Sequence, residues 1–443
     1  MIQKMTLIGM TLLLIVACDT STNEPQIEGD FKVTIENIAE AKSYSASGAF
    51  NTPVGATAPA PIFPGEAYEV SFSAAPGSKL SFATMFVQSN DLFYAPDGEG
   101  IDLYDSMGDQ IVGDITSQIM LWDAGREVNQ EPGLGSDQAP RQAGANTGAV
   151  DSDNTVRLAT DDFSNLPAVS DVVKVTLSST GDTGFTLRVE NVSSSATLMT
   201  SDGNSHAVPL APGVYVIHSG SDVLFDAGMM DYGYGLANIA EDGDPSGLAT
   251  MLATDTGVTQ LYAPGVYVVH ESANPLFTAE VADRGEGLED LAEDGNPGNL
   301  AASLSSSDMY ATSGAFDTPA GAAGPGALAP GSSYEFVLSA VEGDYLSLAT
   351  MLVQSNDLFV APSGMGIALF NEGTAMTGDV TSYLSIWDAG TEVNETPGVG
   401  LNQAPRQAGA GAGMDEMGLV RMVDDMYDYP ALSEIIRVTI TEI

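Results

Sequence analysis

The segment LSFATMFVQSNDLF at residues 80–93 indicates how the chain is organised, because it is repeated almost unchanged as LSLATMLVQSNDLF at residues 346–359. A second pair of matching segments, WDAGREVN and WDAGTEVN, occupies residues 122–129 and 387–394. The copies are 266 residues apart in the first pair and 265 residues apart in the second. Two matches in the same order and at nearly the same distance predict one structural unit that occurs twice.

Each unit begins and ends with a segment that alternates apolar and polar residues. The opening segments are FKVTIENI at residues 31–38 and FTLRVENV at 185–192, and the closing ones are VVKVTL at 172–177 and IRVTI at 436–440. This alternation has the period of a half-buried strand. Short runs rich in β-branched and aromatic residues lie between them, separated by glycine and proline. The pattern predicts a mainly β protein with two tandem antiparallel β-sandwich domains.

We predict domain boundaries at residues 30–178 and 179–443, of which only the second carries an additional block. APGVYVIH and LANIAEDGDP recur 52 residues later as APGVYVVH and LEDLAEDGNP. This duplicated block of strands and short helices is expected to span residues 211–305. Residues 179–443 should therefore form a full domain that folds alone. Residues 30–178 should form a shortened and less stable domain, because a smaller unit buries less apolar surface.

The N-terminal residues have the features of a lipoprotein signal. Lys4 precedes an apolar run at residues 5–17, which is shorter than the roughly 20 residues of a membrane-spanning helix. The run ends in IVAC, which resembles a bacterial lipobox and contains the only cysteine, Cys18. We predict a signal peptide at residues 1–17, lipidation of Cys18, and a tether at 18–29. The alternative is an ordinary cleaved signal with an incidental thiol.

The net charge excludes one class of partner. The chain has 13 Lys and Arg against 60 Asp and Glu, a formal charge of -47. Such a surface repels the phosphate backbone, so we expect no nucleic acid partner. The same acidity suits either saline surroundings or the attraction of divalent cations. With a lipid anchor, the chain is expected to face outward from a membrane of the cell envelope.

Catalytic motifs are missing from the sequence. There is no Gly-x-Ser-x-Gly, His-Glu-x-x-His, phosphate-binding loop or dinucleotide fingerprint. We therefore predict that the protein is not an enzyme. A remote alternative is a glycosidase that uses two carboxylates, Asp123 and Glu127. The repeated Arg141 and Arg406 are expected to pair with local carboxylates.

Several of these segments together resemble the spondin domain of F-spondin and mindin and of their bacterial relatives. The resemblance is carried by LSLATM at residues 346–351 with SNDLF at 355–359, by WDAGTE at 387–392, and by YPALSEIIRVTI at 429–440. The block GEGLEDLAEDGNP at 285–297 also resembles the family segment before the core strands. The resemblance implies two spondin-like sandwiches of C2-like topology, each with a calcium site made of acidic loop residues.

The resemblance also implies which residues bind calcium. Matched motif by motif, they are Asp91, Asp123 and Glu127 in the first unit and Asp357, Asp388 and Glu392 in the second. At the last position the family has aspartate, whereas this chain has the longer glutamate. Calcium prefers six to eight oxygen ligands, and carboxylates on flexible loops supply them.

The two copies supply an internal test of these residues. All six keep an acid in both units, whereas other acids of the first unit are lost in the second. The lost acids are Asp97, Glu99, Asp102 and Asp105, whose counterparts are Ser363, Met365, Ala368 and Asn371. The alternative is that the aspartate of the WDAG turn only caps backbone amides.

The function that follows is that of a lipid-anchored, calcium-binding, non-catalytic protein of the cell envelope. It is expected to mediate adhesion or binding to an extracellular protein or glycan ligand, with Ca²⁺ fixing the loops that form the contact surface. The alternative is a substrate-capture or carbohydrate-binding lipoprotein in which calcium is purely structural. Binding to a glycan array with and without chelator would discriminate between the two.

Overall fold

The computed structural model describes residues 26–443 and shows a mainly β protein, with 35% strand and 11% helix. The prediction of a mainly β fold with antiparallel sheets is therefore confirmed. The signal peptide, Cys18 and most of the tether lie outside the described residues, and Glu28 and Gly29 of the tether belong to the first strand. Among the helices of the described part, none has the length and apolar character needed to cross a membrane.

The strands are mostly short and the helices shorter than three turns. The strands of the first half are β1 Glu28–Asn37, β2 Tyr44–Phe50, β3 Ala67–Ser73, β4 Lys79–Phe86, β5 Leu92–Ala95, β6 Ile101–Asp102, β7 Gly113–Asp114, β8 Met120–Asp123, β9 Arg157–Leu158, β10 Val173–Ser179, β11 Gly184–Asn191, β12 Leu198–Met199, β13 Ser205–His206 and β14 Leu210–His218. Those of the second half are β15 Tyr262–His270, β16 Thr312–Phe316, β17 Ser333–Val341, β18 Tyr345–Leu352, β19 Leu358–Pro362, β20 Ile367–Ala368, β21 Phe370–Asn371, β22 Thr374–Ala375, β23 Gly378–Asp379, β24 Leu384–Asp388, β25 Arg421–Met422 and β26 Ile436–Glu442. The helices are α1 Val169–Val172, α2 Leu236–Asp242, α3 Ser246–Thr254, α4 Leu288–Asp294, α5 Gly298–Ser305 and α6 Leu432–Ile435, with 3₁₀ turns at Thr116–Gln118, Ala159–Asp161 and Thr381–Tyr383.

Hydrogen bonding divides these strands into two modules, each with a four-stranded sheet and a larger sheet. The inserted module, residues 44–254, has the sheets β3-β11-β10-β7 and β2-β14-β4-β5-β8-β9, with β6 added at β4. The host module, residues 28–37 and 262–442, has β17-β1-β26-β23 and β16-β15-β18-β19-β24-β25, with β20 added at β18. The whole inserted module therefore lies in the chain between the first and second strands of the host module.

This pairing corrects the predicted domain boundaries at 30–178 and 179–443. Strand β1, expected to open the first unit, pairs with β17 and β26 of the second. Strand β11, expected to open the second, pairs with β3 and β10 of the first. Strand β14 lies between β2 and β4, so the first unit does not lack the duplicated block at 211–305. Each module has one copy of that block, because the partner of an alternating strand is chosen by contacts distant in sequence.

The two modules are circular permutants of each other. In the inserted module β10 and β11 form a hairpin that places Asn191 opposite Val173. In the host module the equivalent strands are the last and the first, and Asn37 lies opposite Ile436 in the same register. Each of the two asparagines is buried and donates two hydrogen bonds to backbone carbonyls. The ends of the host module thus lie where the inserted module has a turn.

Each module has three layers. One face of the larger sheet shares a buried apolar cluster with the four-stranded sheet, and its other face packs on two helices, α2 and α3 or α4 and α5. A central strand such as β4 is buried on both faces, so its burial does not alternate. Helices α2 and α4 are followed by Gly243 and Gly295, whose φ angles of 67° and 64° favour glycine.

Candidate metal centres

The predicted ligands lie where two neighbouring strands of the larger sheet meet the loops. Asp357 immediately precedes β19 and Asp388 ends β24, and the two strands are paired, with Leu358 opposite Asp388. Strands β5 and β8 bring Asp91 and Asp123 together in the same way in the inserted module. All six predicted ligands are buried, whereas the acids lost between the copies are exposed. A buried carboxylate needs a hydrogen-bond partner or a counter-charge.

In the host module three carboxylates form a compact group. Asp357, Asp388 and Glu416 each offer one oxygen, and these oxygens all lie within 4.8 Å of one another. Oδ1 of Asp357 and Oε2 of Glu416 are buried and accept no hydrogen bond. Such a set of hard, negatively charged oxygen donors fits a divalent cation.

A guanidinium partly balances this group. Nη2 of Arg421 donates to Oδ2 of Asp388 and to Oε1 of Glu416, both at 2.8 Å. The other oxygen of Asp388 accepts the backbone N–H of Gly390 at 2.7 Å. Asp388 therefore also caps the WDAG turn, as the alternative interpretation expected. Of the three carboxylates, only Asp357 has no ion pair with a basic side chain among the described residues.

The inserted module has a similar but less complete group. Arg157 donates to Asp151 at 2.9 Å and lies 3.1 Å from Asp123, and Oδ1 of Asp91 is buried without a partner. Asp151 occupies the place of Glu416 with a side chain that is one methylene shorter. Among the described residues of this module, no three carboxylates approach one another as closely as the host group.

The side chains of the two predicted ligands Glu127 and Glu392 point away from the paired aspartates. Their backbone N–H groups donate to Asp91 or Asp357, as part of the turn. The side chain of Glu127 accepts hydrogen bonds from the Gly148 N–H at 2.7 Å and from Asn90 at 3.2 Å. Glu392 accepts from Asn356 at 3.2 Å. The structure thus places Glu392 beside the host group and outside it.

Burial and mutual repulsion raise the proton affinity of these acids. Burial, followed by the charge of Asp123, raises the pKa of Asp91 to about 7. Burial and the charge of Asp388 do the same for Asp357, whose pKa is also about 7. The pKa values of Asp123 and Asp388 are raised as well, chiefly by burial. A bound cation would favour the ionised form of each carboxylate and release its proton.

Sequence reasoning missed three acids near these groups, two of them buried and one half-buried. One is Glu416, and the others are Glu241 and Glu293 at the ends of α2 and α4. A signal for Glu416 was present, because the other copy has Asp151 at the matching place, five or six residues before a retained arginine. For the helix pair the signal was the repeated Ala-Glu-Asp-Gly segment.

The repeated arginines do not pair with carboxylates, contrary to expectation. Arg141 donates to the side chains of Gln88 and Gln138, both at 2.8 Å, and to a backbone carbonyl. Arg406 makes the equivalent bonds, including one of 3.1 Å to Gln354. Both guanidiniums stabilise the loop that follows the acidic turn through these hydrogen bonds.

Comparison with known proteins supplies no identification: no protein-family model matches the chain, and no curated protein is significantly similar to it. The resemblance to spondin domains therefore rests on the motifs in the sequence. The function has to be argued from the carboxylate groups and the loops around them.

Proposed function

We propose that this chain is a lipid-anchored, calcium-binding, non-catalytic protein of the cell envelope, with two spondin-like modules that bind an extracellular protein or glycan. The observation that carries the proposal is the pair of buried carboxylate groups at equivalent ends of the two modules. In both, an aspartate oxygen without a hydrogen-bond partner faces a second aspartate on the adjacent strand. Buried charges of one sign at such short distances are stabilised by a cation.

The donor set favours calcium among the common cations. The group of Asp357, Asp388 and Glu416 offers only carboxylate oxygens, and Asn129 adds a buried amide oxygen without a partner in the inserted module. Zinc and copper prefer imidazole and thiolate ligands. His218 and His270 are instead engaged elsewhere, each with Nε2 at 2.9 Å from a serine hydroxyl. Calcium also tolerates irregular coordination by loops.

The loops that carry these acids present an apolar surface. Val128 and Val393 occupy equivalent places and are 46% and 41% exposed. In the host module Met414, Met417 and Leu419 extend this exposed surface. Neighbouring exposed apolar side chains on ordered loops are typical of binding surfaces. Calcium bound beneath the loops would fix their shape, which supports a binding function at this end.

The environment of the acids argues against catalysis. A glycosidase needs two carboxyl groups that reach the substrate. Asp123 is fully buried and bonded to the Gly125 N–H and to Arg157, and Glu127 is bonded on both oxygens. The carbohydrate-binding alternative gains no support from the tryptophans. Trp122 is buried in the contact between sheet and helices, as is its counterpart in the host module.

The lipid anchor at Cys18 is part of the proposal and is supported by the sequence alone. We expect the native protein to partition into a detergent phase, and Cys18→Ala to abolish that partition. A wild-type protein that stays in the aqueous phase would contradict the anchor and leave the calcium proposal standing.

Calorimetric melting of the mature chain tests calcium binding. A cation that binds only the folded state adds about 2.7 kcal/mol of stability at a hundredfold excess over its Kd. For modules of this size, about 2–4 °C of Tm corresponds to each kcal/mol. We therefore expect millimolar calcium to raise Tm by about 5–11 °C relative to excess chelator.

Substitutions show which residues are responsible for the calcium-dependent rise in Tm. Asp357→Asn should remove most of the calcium-dependent rise of the host module, because it removes the charge that no arginine balances. Asp97→Asn is the matched control, because Asp97 is exposed and its counterpart is a serine. Equal Tm values in calcium and chelator for the wild-type chain would refute the proposal.

A further inference from the structure

The modules are joined at the end of the host module that carries its acidic group. Strand β15 begins at Tyr262, which pairs with Leu352, the last residue of β18. The acidic turn with Asp357 follows β18 in the chain. Strand β1 ends nearby at Asn37, whose side chain donates to a backbone carbonyl just before β15 at 2.9 Å. Both segments that connect the modules therefore leave the host module beside its acidic turn.

These segments reach the inserted module at the end opposite to its own acidic turn. Strand β2 begins at Tyr44, which pairs with His218, the last residue of β14, and bridges to Thr256 of the second segment. His218 also pairs with Lys79, the first residue of β4, whereas Asp91 follows the other end of β4. The acidic group of the host module thus lies at the junction, and that of the inserted module lies at the end away from it.

The two connecting segments, residues 38–43 and 255–261, are hydrogen-bonded to each other, and we call them the neck. The backbone N–H of Lys42 donates to Oγ1 of Thr259 at 2.8 Å, and that of the next residue donates to the carbonyl of Asp255 at 3.2 Å. A protease needs a locally opened chain, so it can cut within the neck only when these hydrogen bonds open.

A loop of the host module, residues 394–400, connects the acidic group to the neck. The side chain of its first residue, Asn394, donates to Oδ2 of Asp388 at 3.1 Å. Farther along the loop, Gly398 lies against Val258 of the neck, and a Cβ on this glycine would come within 2.8 Å of the valine side chain. The position of the neck therefore depends on the position of this loop.

Two cavities flank the contact between the loop and the neck. A cleft of about 510 Å³ lies between the loop and the turn at residues 180–184 of the inserted module. A second cavity of about 200 Å³ is lined by Pro397 of the loop, Lys42 of the neck and His218 of the inserted module. The junction is therefore loosely packed, and its geometry depends on the loop and the neck more than on a shared apolar core.

We propose that calcium bound by the host acidic group stiffens the junction between the two modules, whereas the equivalent group of the inserted module has no such effect. The cation would hold Asp357 and Asp388 together, fix the loop through Asn394, and keep the neck paired through the contact at Gly398. Without the cation, repulsion between the carboxylates loosens the loop. The inference rests on the proposed function, because it requires that the host group binds calcium.

Limited proteolysis of the full mature chain measures the opening of the neck. The protease is one that cleaves after lysine and does not itself depend on calcium. Lys42 lies in the neck, and the other lysines of the mature chain belong to strands β1, β4 and β10: Lys32, Lys79 and Lys174. We expect cleavage after Lys42 to be several-fold slower in millimolar calcium than in excess chelator, because the rate follows the population of the opened neck.

Matched substitutions in the two modules show which acidic group is responsible. Asp357→Asn should abolish the protection of Lys42 by calcium. Asp91→Asn makes the same change at the equivalent, equally buried position of the inserted module and should leave the protection unchanged. Should Asp357→Asn fail to fold by circular dichroism, Glu416→Gln replaces it, because Glu416 belongs to the same group and is only half-buried.

Cleavage after Lys32 separates stiffening of the junction from stabilisation of the host module. Lys32 lies in β1, so its cleavage requires unfolding of the host sheet. We expect calcium to slow cleavage after Lys42 by a larger factor than cleavage after Lys32. Equal factors at the two lysines would assign the effect to the stability of the host module and overturn the inference. Equal loss of protection in Asp357→Asn and Asp91→Asn would overturn it as well.

Calcium titration calorimetry on the same samples distinguishes this inference from the proposed function. If the wild-type chain binds calcium and cleavage after Lys42 proceeds at the same rate with and without it, the inference is refuted and the proposed function stands. If the wild-type chain binds no calcium, both are refuted.

Discussion

The inserted and host modules build the same sheets from the same segments in a different chain order. In the inserted module the chain runs from β2 through β10, turns into β11 and continues to β14 and its helices. In the host module β1 is separated from β15 by the entire inserted module. Strand register is nevertheless the same, as the equivalent positions of Asn37 and Asn191 show. The comparison teaches that the register between two strands does not depend on their order along the chain.

The acidic groups of the modules differ more than the sheets do. The host module has Glu416 and Thr391 where the inserted module has Asp151 and Arg126. The longer glutamate completes a group of three close carboxylates in the host module. The charge of Arg126 lowers the pKa of the nearby Glu241 and offsets part of the effect of its acidic neighbours. We therefore expect the host module to bind the proposed cation more tightly than the inserted module does.

The largest effect is expected when two fragments of the chain are compared. One follows the module boundaries seen in the sheets, and the other follows the boundaries predicted from the sequence. Residues 44–257 should fold alone with a cooperative transition, because they contain every strand of the inserted module. Residues 30–178 should not fold, because they lack β11 and β14, and β14 lies within the larger sheet. Far-UV circular dichroism during thermal melting measures both. A cooperative transition for 30–178 would show that strand order along the chain defines the modules after all.

A smaller effect is expected when pH is varied in chelator. The raised pKa of a buried carboxylate means that the folded state binds its proton more tightly than the unfolded state does. Its stabilising contribution is complete below the unfolded pKa of about 4 and is lost as pH rises through the folded value. For Asp91, Asp357 and Glu241 the folded values are about 7, 7 and 8. Tm in chelator should therefore fall between pH of about 5 and about 8.

Calcium should reverse this trend, because it binds the ionised carboxylates and its stabilising effect grows as they lose their protons. Tm measured in millimolar calcium should thus be flat or should rise over the same pH interval. The isolated inserted module is the useful comparison, since Arg126 should weaken its dependence on pH. A Tm in chelator that rises with pH would contradict the repulsion among these acids.

The smallest effect is expected from the arginines that balance the acidic groups. Arg421→Gln removes the guanidinium from Asp388 and Glu416, so calcium affinity of the host module should increase several-fold. Arg157→Gln should have a weaker effect on the inserted module, where the carboxylates are farther apart. Arg437→Gln is the control, because its ion pair is exposed and such pairs contribute about 0–1 kcal/mol. Calcium titration calorimetry compares the three variants.

A loss of calcium binding in Arg421→Gln would instead show that the arginine holds the carboxylates in position for the cation. That result would show that Arg421 orients the carboxylates and does not compete with the cation for them. The comparison of the two modules depends on which of these two roles the arginine has.

Much of the site was visible in the sequence because it occurs twice. The acids Asp91 and Asp123 are retained in the second copy, and the structure brings each pair together on adjacent strands. The direction of Glu127 and Glu392 was not visible, because it depends on amide donors elsewhere in the fold. Glu416 was missed because the loop that returns it to the site has no regular pattern.

The sequence by itself determined the strand content, the repetition and the positions of the paired aspartates. These are local properties, set by the alternation of side chains and by turn residues. Only the tertiary structure decided which strands belong together, and it joined β1 to the last strand of the chain. It also decided that α2 and α4 bury their glutamates beside the acidic turns. Strand pairing and side-chain burial depend on contacts between residues far apart in the chain. Because the same pattern occurs twice, the sequence allows each strand two possible pairing partners.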